Sequence, residues 1–122
     1  MSGEFTISVI DDDESFRTAL VGLLRMLGYE AKGFASAVEF INNGGEGSCD
    51  CIITDINMSG MSGFDLIQLL IARGSTVPII MVTGRPEPGL EAKVAASGAI
   101  CLLMKPFEED ALIDYLEKAL KI

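Results

Sequence analysis

Apolar runs of four to six residues alternate along this chain with segments whose apolar positions recur at helical spacing. The runs cover residues 5–10, 29–34, 51–54, 79–82 and 99–104, and turn-forming residues separate them from the segments between. Repetition of a short apolar run followed by a helical stretch is the pattern of βα units, which build a parallel sheet with helices packed on it. Five such units fit the length. The first helix is predicted over 14–27, with Phe16, Leu20, Leu23, Leu24 and Leu27 on one face and Gly28 free to take the left-handed position beyond its end. The run at 29–34 is the weakest and is predicted near a sheet edge. Ser36 with Glu39 and Ser62 with Asp65 match the Ser/Thr-x-x-Glu/Asp capping pattern, so helices are expected to start there, the second ending near Arg73 before Gly74. Residues 42–48, rich in Gly and Asn, are read as a loop. The breaker-dense stretch 84–89 delays the fourth helix to about Leu90, and it ends before Gly98. A fifth helix over 108–120 places acids in its first turn and Lys118 and Lys121 at its end, matching the helix dipole.

A chain of 122 residues buries roughly two-thirds of its unfolded surface, enough for one domain, 1–122, to hold a core without staples. Nine basic against eighteen acidic residues give a formal charge of -9, which repels a phosphate backbone and argues against nucleic-acid binding by this chain. The apolar stretches fall short of the ~20 residues needed to span a bilayer, and Glu4 stands where a signal peptide would be basic. The expected location is the cytoplasm, with no membrane partner. Cys49, Cys51 and Cys101 have no C-x-x-C spacing and no histidine to complete a zinc set, so they read as reduced packing residues, Cys49 the most exposed. The lack of histidine also excludes a Ser-His-Asp or Cys-His arrangement within the chain.

What remains is carboxylate chemistry at the strand ends. Asp11, Asp12 and Asp13 follow the first run, Asp55 the third, Thr83 the fourth and Lys105 the fifth. In a parallel sheet these ends meet at one edge, so the residues would share a pocket. Crowded carboxylates raise one another's pKa, and a hard oxygen-seeking cation removes that cost. Mg²⁺ suits the set better than Ca²⁺, because it is commonly held by one or two carboxylates with water and phosphate, whereas a calcium loop needs a denser run of oxygens. Each element also has a plainer reading. The triple acid serves equally as a helix cap with first-turn acids, a lone Asp after a strand as a turn former, Thr83-Gly84 as a common strand-to-loop step, and Lys105 as a surface charge.

The joint pattern of Ile10-Asp11-Asp12-Asp13, the stretch 55–63, Val82-Thr83-Gly84 and Lys105-Pro106-Phe107 resembles the receiver domain of two-component response regulators, the CheY-like family, in its FixJ type. The resemblance covers essentially the whole chain. It implies an α/β fold of five parallel strands flanked by five helices, flavodoxin-like, in strand order 2-1-3-4-5. It implies that Asp55 accepts a phosphoryl group, that Asp12, Asp55 and the Asn57 carbonyl ligate Mg²⁺ with Asp11 acting through water, and that Thr83 and Lys105 bind phosphoryl oxygens. The donor would be a phosphohistidine on a sensor histidine kinase or phosphotransfer protein. The chain would be a signalling switch rather than an enzyme, catalysing only its own phosphorylation and dephosphorylation, and would act on an effector domain or output protein, with transcription the expected output. A phosphorylation-dependent homodimer would form through helix four, strand five and helix five. Arg85 and Asn57 are expected at the mouth of the site, and the Lys105-Pro106 bond is expected to be cis.

Two positions depart from the family pattern: Ser59 stands where proline is usual, and Leu102 where an aromatic residue usually turns inward on activation. The second moves the expected switch to Thr83 and the loop 84–89. Two other readings compete: a small Mg²⁺-dependent aspartyl-phosphate phosphatase or phosphotransferase, and a receiver-shaped interaction module that works without phosphate.

Overall fold

A computed structural model describes residues 5–122; Glu4, on which the N-terminal reading rests, lies outside the described residues. Five strands, β1 (Thr6–Ile10), β2 (Glu30–Phe34), β3 (Cys51–Asp55), β4 (Ile79–Thr83) and β5 (Cys101–Met104), form one parallel sheet in the order β2-β1-β3-β4-β5. Five helices connect or follow them: α1 (Glu14–Met26), α2 (Ala37–Asn42), α3 (Gly63–Ala72), α4 (Leu90–Ser97) and α5 (Glu109–Leu120). The predicted order and the edge position of β2 both hold.

Alternation along each strand divides the core into two layers. Ile7, Val9, Ile53, Ile80, Val82 and Leu103 face Leu20 and Leu24 of α1 and Leu112 and Leu116 of α5. Ile10, Ile52 and Met81 face Phe40 of α2, Leu66 and Leu70 of α3 and Val94 of α4. β3 and β4 are buried along their whole length, which is why their sequences read as unbroken apolar runs. Leu112 and Leu116 are fully buried, so truncating either to alanine removes about 2–5 kcal/mol of stability.

Local chemistry fixes the helix ends. The Ser62 hydroxyl accepts from the Asp65 N–H while the Asp65 carboxylate accepts from the Ser62 N–H, a complete capping box. At α2 the box is only half made. The Ser36 hydroxyl accepts from the Glu39 N–H, but Glu39 reaches back one residue further, to the Ala35 N–H. Gly28 takes φ 97° beyond α1, as its sequence position predicts. The loop predicted over 42–48 is not structureless. Gly45–Ser48 form a 3₁₀ turn, held by the Ser48 hydroxyl donating to the Gly45 carbonyl and by an ion pair of 3.2 Å between Glu46 and Arg73. β5 starts at Cys101 rather than 99, and Cys49 and Cys101 are both half-buried while Cys51 is buried. No helix of the described residues is long and apolar enough to cross a membrane.

The register aligns the strand ends that matter. Ile10 pairs with Thr54, Asp55 with Val82 and Thr83 with Met104, so the residues just beyond these positions emerge along one edge. Gly63, the first residue of α3, lies against that edge. A Cβ there would stand 2.8 Å from the Asp55 carbonyl oxygen and 3.1 Å from both Ile56 Cα and Met81 Sδ, so only glycine lets the helix start this close to the end of β3.

Candidate functional site

At the carboxyl edge of the sheet a cleft of about 690 Å³ is lined by residues including Asp12, Asp55, Asn57, Ser59, Arg85 and Lys105. Asp11, Asp12 and Asp55 bring carboxylate oxygens within 4.8 Å of one another at its floor. The three consecutive acids after β1 divide their work. Asp13 caps α1, accepting from the Phe16 N–H at 3.2 Å, so the plainer reading is correct for that residue. Asp11 turns inward and is 1% exposed, its Oδ1 accepting from the Asp13 N–H at 2.9 Å. Asp12 faces the cleft from an exposed position.

Lys105 reaches across from the end of β5. Its Nζ donates to Asp11 Oδ2 at 2.8 Å and to Asp55 Oδ2 at 3.2 Å, joining acids from two strands. The Lys105-Pro106 bond that begins this loop is cis, as expected. Burial raises the pKa of Asp55, the Asn57 N–H bonded to its Oδ1 at 3.0 Å lowers it, the negative charge of Asp11 raises it again and Lys105 lowers it, with a net upward shift. For Lys105 burial acts to lower the pKa, but the hydrogen bond to Asp11 and the charges of Asp55 and Asp11 outweigh it, and the ammonium is held above its ordinary value. Among the described residues no buried side-chain polar atom lacks a hydrogen-bond partner.

Thr83 stands at the end of β4, as its sequence position predicts. It is fully buried, and its hydroxyl accepts from the Arg85 N–H at 3.0 Å and meets Asn57 Nδ2 at 3.5 Å. Gly84 stands in the cleft wall, and Arg85 and Asn57 both line the cleft, as the sequence predicts. Three carboxylates and one ammonium leave a formal charge of -2 in an all-oxygen donor set, which fits one hard divalent cation.

Three contributors were not assigned to the site from sequence. The Ser59 N–H points at Asp12 Oδ2, 3.4 Å away, a contact the usual proline could not make. Arg17 donates to the Asp11 carbonyl at 2.7 Å and lies across Gly33, where a Cβ would meet its stem at 3.0 Å. Phe16 faces the Lys105 ammonium at 4.0 Å from its ring centroid. No local spacing marks Arg17, and Phe16 is indistinguishable in sequence from the rest of the apolar stripe of α1.

Comparison with known proteins agrees with this geometry. The family described as "Response regulator receiver domain" matches residues 7–117. The response regulator protein TmoT of Ectopseudomonas mendocina is 37% identical over 119 residues, covering 98% of this chain and 54% of that protein. The transcriptional regulatory protein FixJ of Azorhizobium caulinodans is 35% identical over 113 residues, covering 93% of this chain and 54% of that one. The crystal structure of FixJ-N superposes with a TM-score of 0.87 at 29% identity, over 96% of this chain and 94% of that chain. This chain spans about half the length of the curated relatives it matches.

Proposed function

The chain belongs to the response regulator receiver family, and from that membership we propose that Asp55 is its phosphoryl acceptor and that the whole of 1–122 works as one receiver. The observation that carries the reading is the convergence of Asp11, Asp12 and Asp55 within 4.8 Å, with Lys105 bonded to both buried acids. Phosphoryl transfer asks more for positioning and charge neutralisation than for covalent help, and this cleft supplies both.

In the proposed step an Asp55 carboxylate oxygen attacks the phosphorus of a phosphohistidine on a partner histidine kinase or phosphotransfer protein. The P–O bond forms, the P–N bond breaks, and the imidazole leaves with the electron pair and takes a proton. The Asn57 N–H holds Asp55 Oδ1, fixing the rotamer that presents the other oxygen. Lys105 exchanges its bond to Asp55 for one to a phosphoryl oxygen while keeping its bond to Asp11. The Thr83 hydroxyl accepts from the Arg85 N–H and from Asn57 Nδ2, which leaves its O–H free to donate to a phosphoryl oxygen, and a shift of Thr83 toward that oxygen would pull on the loop 84–89. Mg²⁺, held by Asp12, Asp55 and the Asn57 carbonyl with Asp11 through water, would supply neutralisation of the charge on the transferred group.

No other substrate enters this scheme, so the chain acts as a switch that promotes only its own phosphorylation and dephosphorylation. The relatives named as transcriptional regulators support a cytoplasmic regulator whose effector domain or output protein controls transcription, the acidic receiver itself making no nucleic-acid contact. The proposed readout face is α4, β5 and α5, pairing two phosphorylated copies. Half-buried Leu102 leaves the loop after Thr83, rather than an aromatic rotamer, to carry the change. Incubation with phosphoramidate and Mg²⁺, followed by intact-mass measurement, tests the acceptor. One phosphoryl group should be gained, and none by Asp55→Asn or in chelator. Equal gain by Asp55→Asn would reject the assignment.

A further inference from the structure

Lys105 has an aromatic contact in addition to its two acids. Its Nζ lies over the face of Phe16, 4.0 Å from the ring centroid, while the same atom bonds Asp11 Oδ2 at 2.8 Å and Asp55 Oδ2 at 3.2 Å. Phe107, two residues along the same loop, meets Phe16 edge-on with ring centroids 5.9 Å apart and planes at 83°. The Phe16 ring is therefore held by one residue of the β5–α5 loop and itself holds another. α1 contributes its own geometry: Asp13 caps the helix by accepting from the Phe16 N–H, so the turn that carries Asp11 also places the ring.

We propose that Phe16 is a positioning residue for the phosphoryl-binding ammonium, its ring face holding Lys105 beside the acid pair before a phosphoryl group arrives. The proposal rests on the reading of Lys105 as a phosphoryl ligand. A lysine is a point charge on a flexible four-carbon stem, and most of its rotamers would carry the charge out of the cleft into water. An aromatic face attracts the cation through its quadrupole without using any of the ammonium's three N–H donors, which stay available for oxygens. An aliphatic residue of similar size would fill the space without that attraction. Phe16 is not among the residues lining the cleft, and the contact that links its ring to the site is the one with Lys105.

Beryllofluoride, which occupies the place of a phosphoryl group on the acceptor carboxylate, reads this out in the presence of Mg²⁺. Phe16→Leu should bind it about five-fold more weakly than the wild type, the factor expected for loss of a partly exposed cation–π contact, and Phe16→Tyr should come within about two-fold of it. Proton NMR supplies a readout that packing alone does not move. The Lys105 Hε resonances should be displaced upfield by the ring current in the wild type and in Phe16→Tyr, and should lose that displacement in Phe16→Leu. Equal beryllofluoride affinity for wild type and Phe16→Leu, a Phe16→Tyr as weak as Phe16→Leu, or no ring-current displacement in the wild type would each overturn the positioning role. Failure of the wild type to bind beryllofluoride at all would instead overturn the reading of the site beneath it.

Discussion

Replacing Lys105 by methionine keeps the length and much of the volume of the side chain and removes its charge, so it isolates what the ammonium does for the resting fold. The side chains of Asp11 and Asp55 are 1% and 10% exposed, and Lys105 is the cation bonded to both, at 2.8 and 3.2 Å. Removing one partner of a fully buried pair costs about 3–5 kcal/mol because a charge is left uncompensated. Here the Lys105 side chain is 19% exposed and the cleft opens to water, so the lower part of that range or somewhat less applies, about 2 kcal/mol at pH 7 without divalent cation. At a urea dependence of about 1–3 kcal/mol/M, that loss lowers the unfolding midpoint by roughly 0.7–2 M. The sign of the pH dependence follows from Asp55. Its pKa is already raised by burial, so its ionised form costs stability above that pKa, and protonation relieves the cost as pH falls through it. Without Lys105 the shift grows, so the gap between variant and wild type should narrow as pH falls from 7 through the raised pKa of Asp55. In the other direction, the raised pKa of Lys105 means its contribution is complete below the unfolded-state value and is lost as pH rises through the folded one. Urea unfolding followed by circular dichroism, with and without Mg²⁺, measures all of this. Mg²⁺ should stabilise the variant more than the wild type, since the ammonium no longer competes for the carboxylates. A Lys105→Met chain as stable as the wild type at pH 7, or a gap that widens on acidification, would refute the electrostatic account.

Gly63→Ala sets a helix-propensity gain of at most about 1 kcal/mol against a Cβ 2.8 Å from the Asp55 carbonyl, a backbone clash costing about 1–3 kcal/mol, so net destabilisation in urea is expected. Burial raises the Cys101 thiol to a pKa of about 11. At pH 8 its thiolate fraction is therefore roughly a hundredth of that of an unperturbed thiol or less, and iodoacetamide labelling read by mass spectrometry should be correspondingly slow and rise about tenfold per pH unit. Arg85→Ala should shorten the lifetime of the phosphorylated form, measured by loss of the added mass, because the guanidinium lies in the cleft wall where water must approach. An unchanged lifetime removes Arg85 from that role. Sedimentation velocity with beryllofluoride and Mg²⁺ should show dimers that are absent without them, and an unchanged monomer would reject pairing through α4, β5 and α5.

The sheet was legible because its physics is local and repetitive: strands buried on both faces must be apolar throughout, and the breaks between them carry Gly, Ser and Asp. The site was legible for the same reason, since Asp55, Thr83 and Lys105 interrupt apolar runs where only a strand end explains them. Less was visible where one residue serves two purposes. Phe16 occupies a helix stripe position that packing alone accounts for, and its contact with Lys105 depends on a loop 89 residues away, a separation no local pattern encodes. Thr83 was correctly placed on its strand end, but the bond its hydroxyl accepts from the Arg85 N–H, two residues on, is not marked by the apolar run. Ser59 read as a missing proline, whereas what it adds is a backbone N–H aimed at Asp12, a consequence of where two loops meet. The Gly-rich stretch after α2 closes into a 3₁₀ turn in which the Ser48 hydroxyl donates to the Gly45 carbonyl, and Glu46 pairs with Arg73 just past α3, a partner no local pattern announces.

The central claim is that Asp55 carries the phosphoryl group in a reaction that needs a divalent cation. Borohydride trapping after phosphorylation tests it most directly, because reduction of an acyl phosphate converts the modified aspartate to homoserine and marks it permanently in the peptide. The account predicts homoserine at position 55 alone, formed with Mg²⁺ and lost in chelator. Homoserine at position 11 or 12, or labelling that is as efficient without the cation, would contradict it.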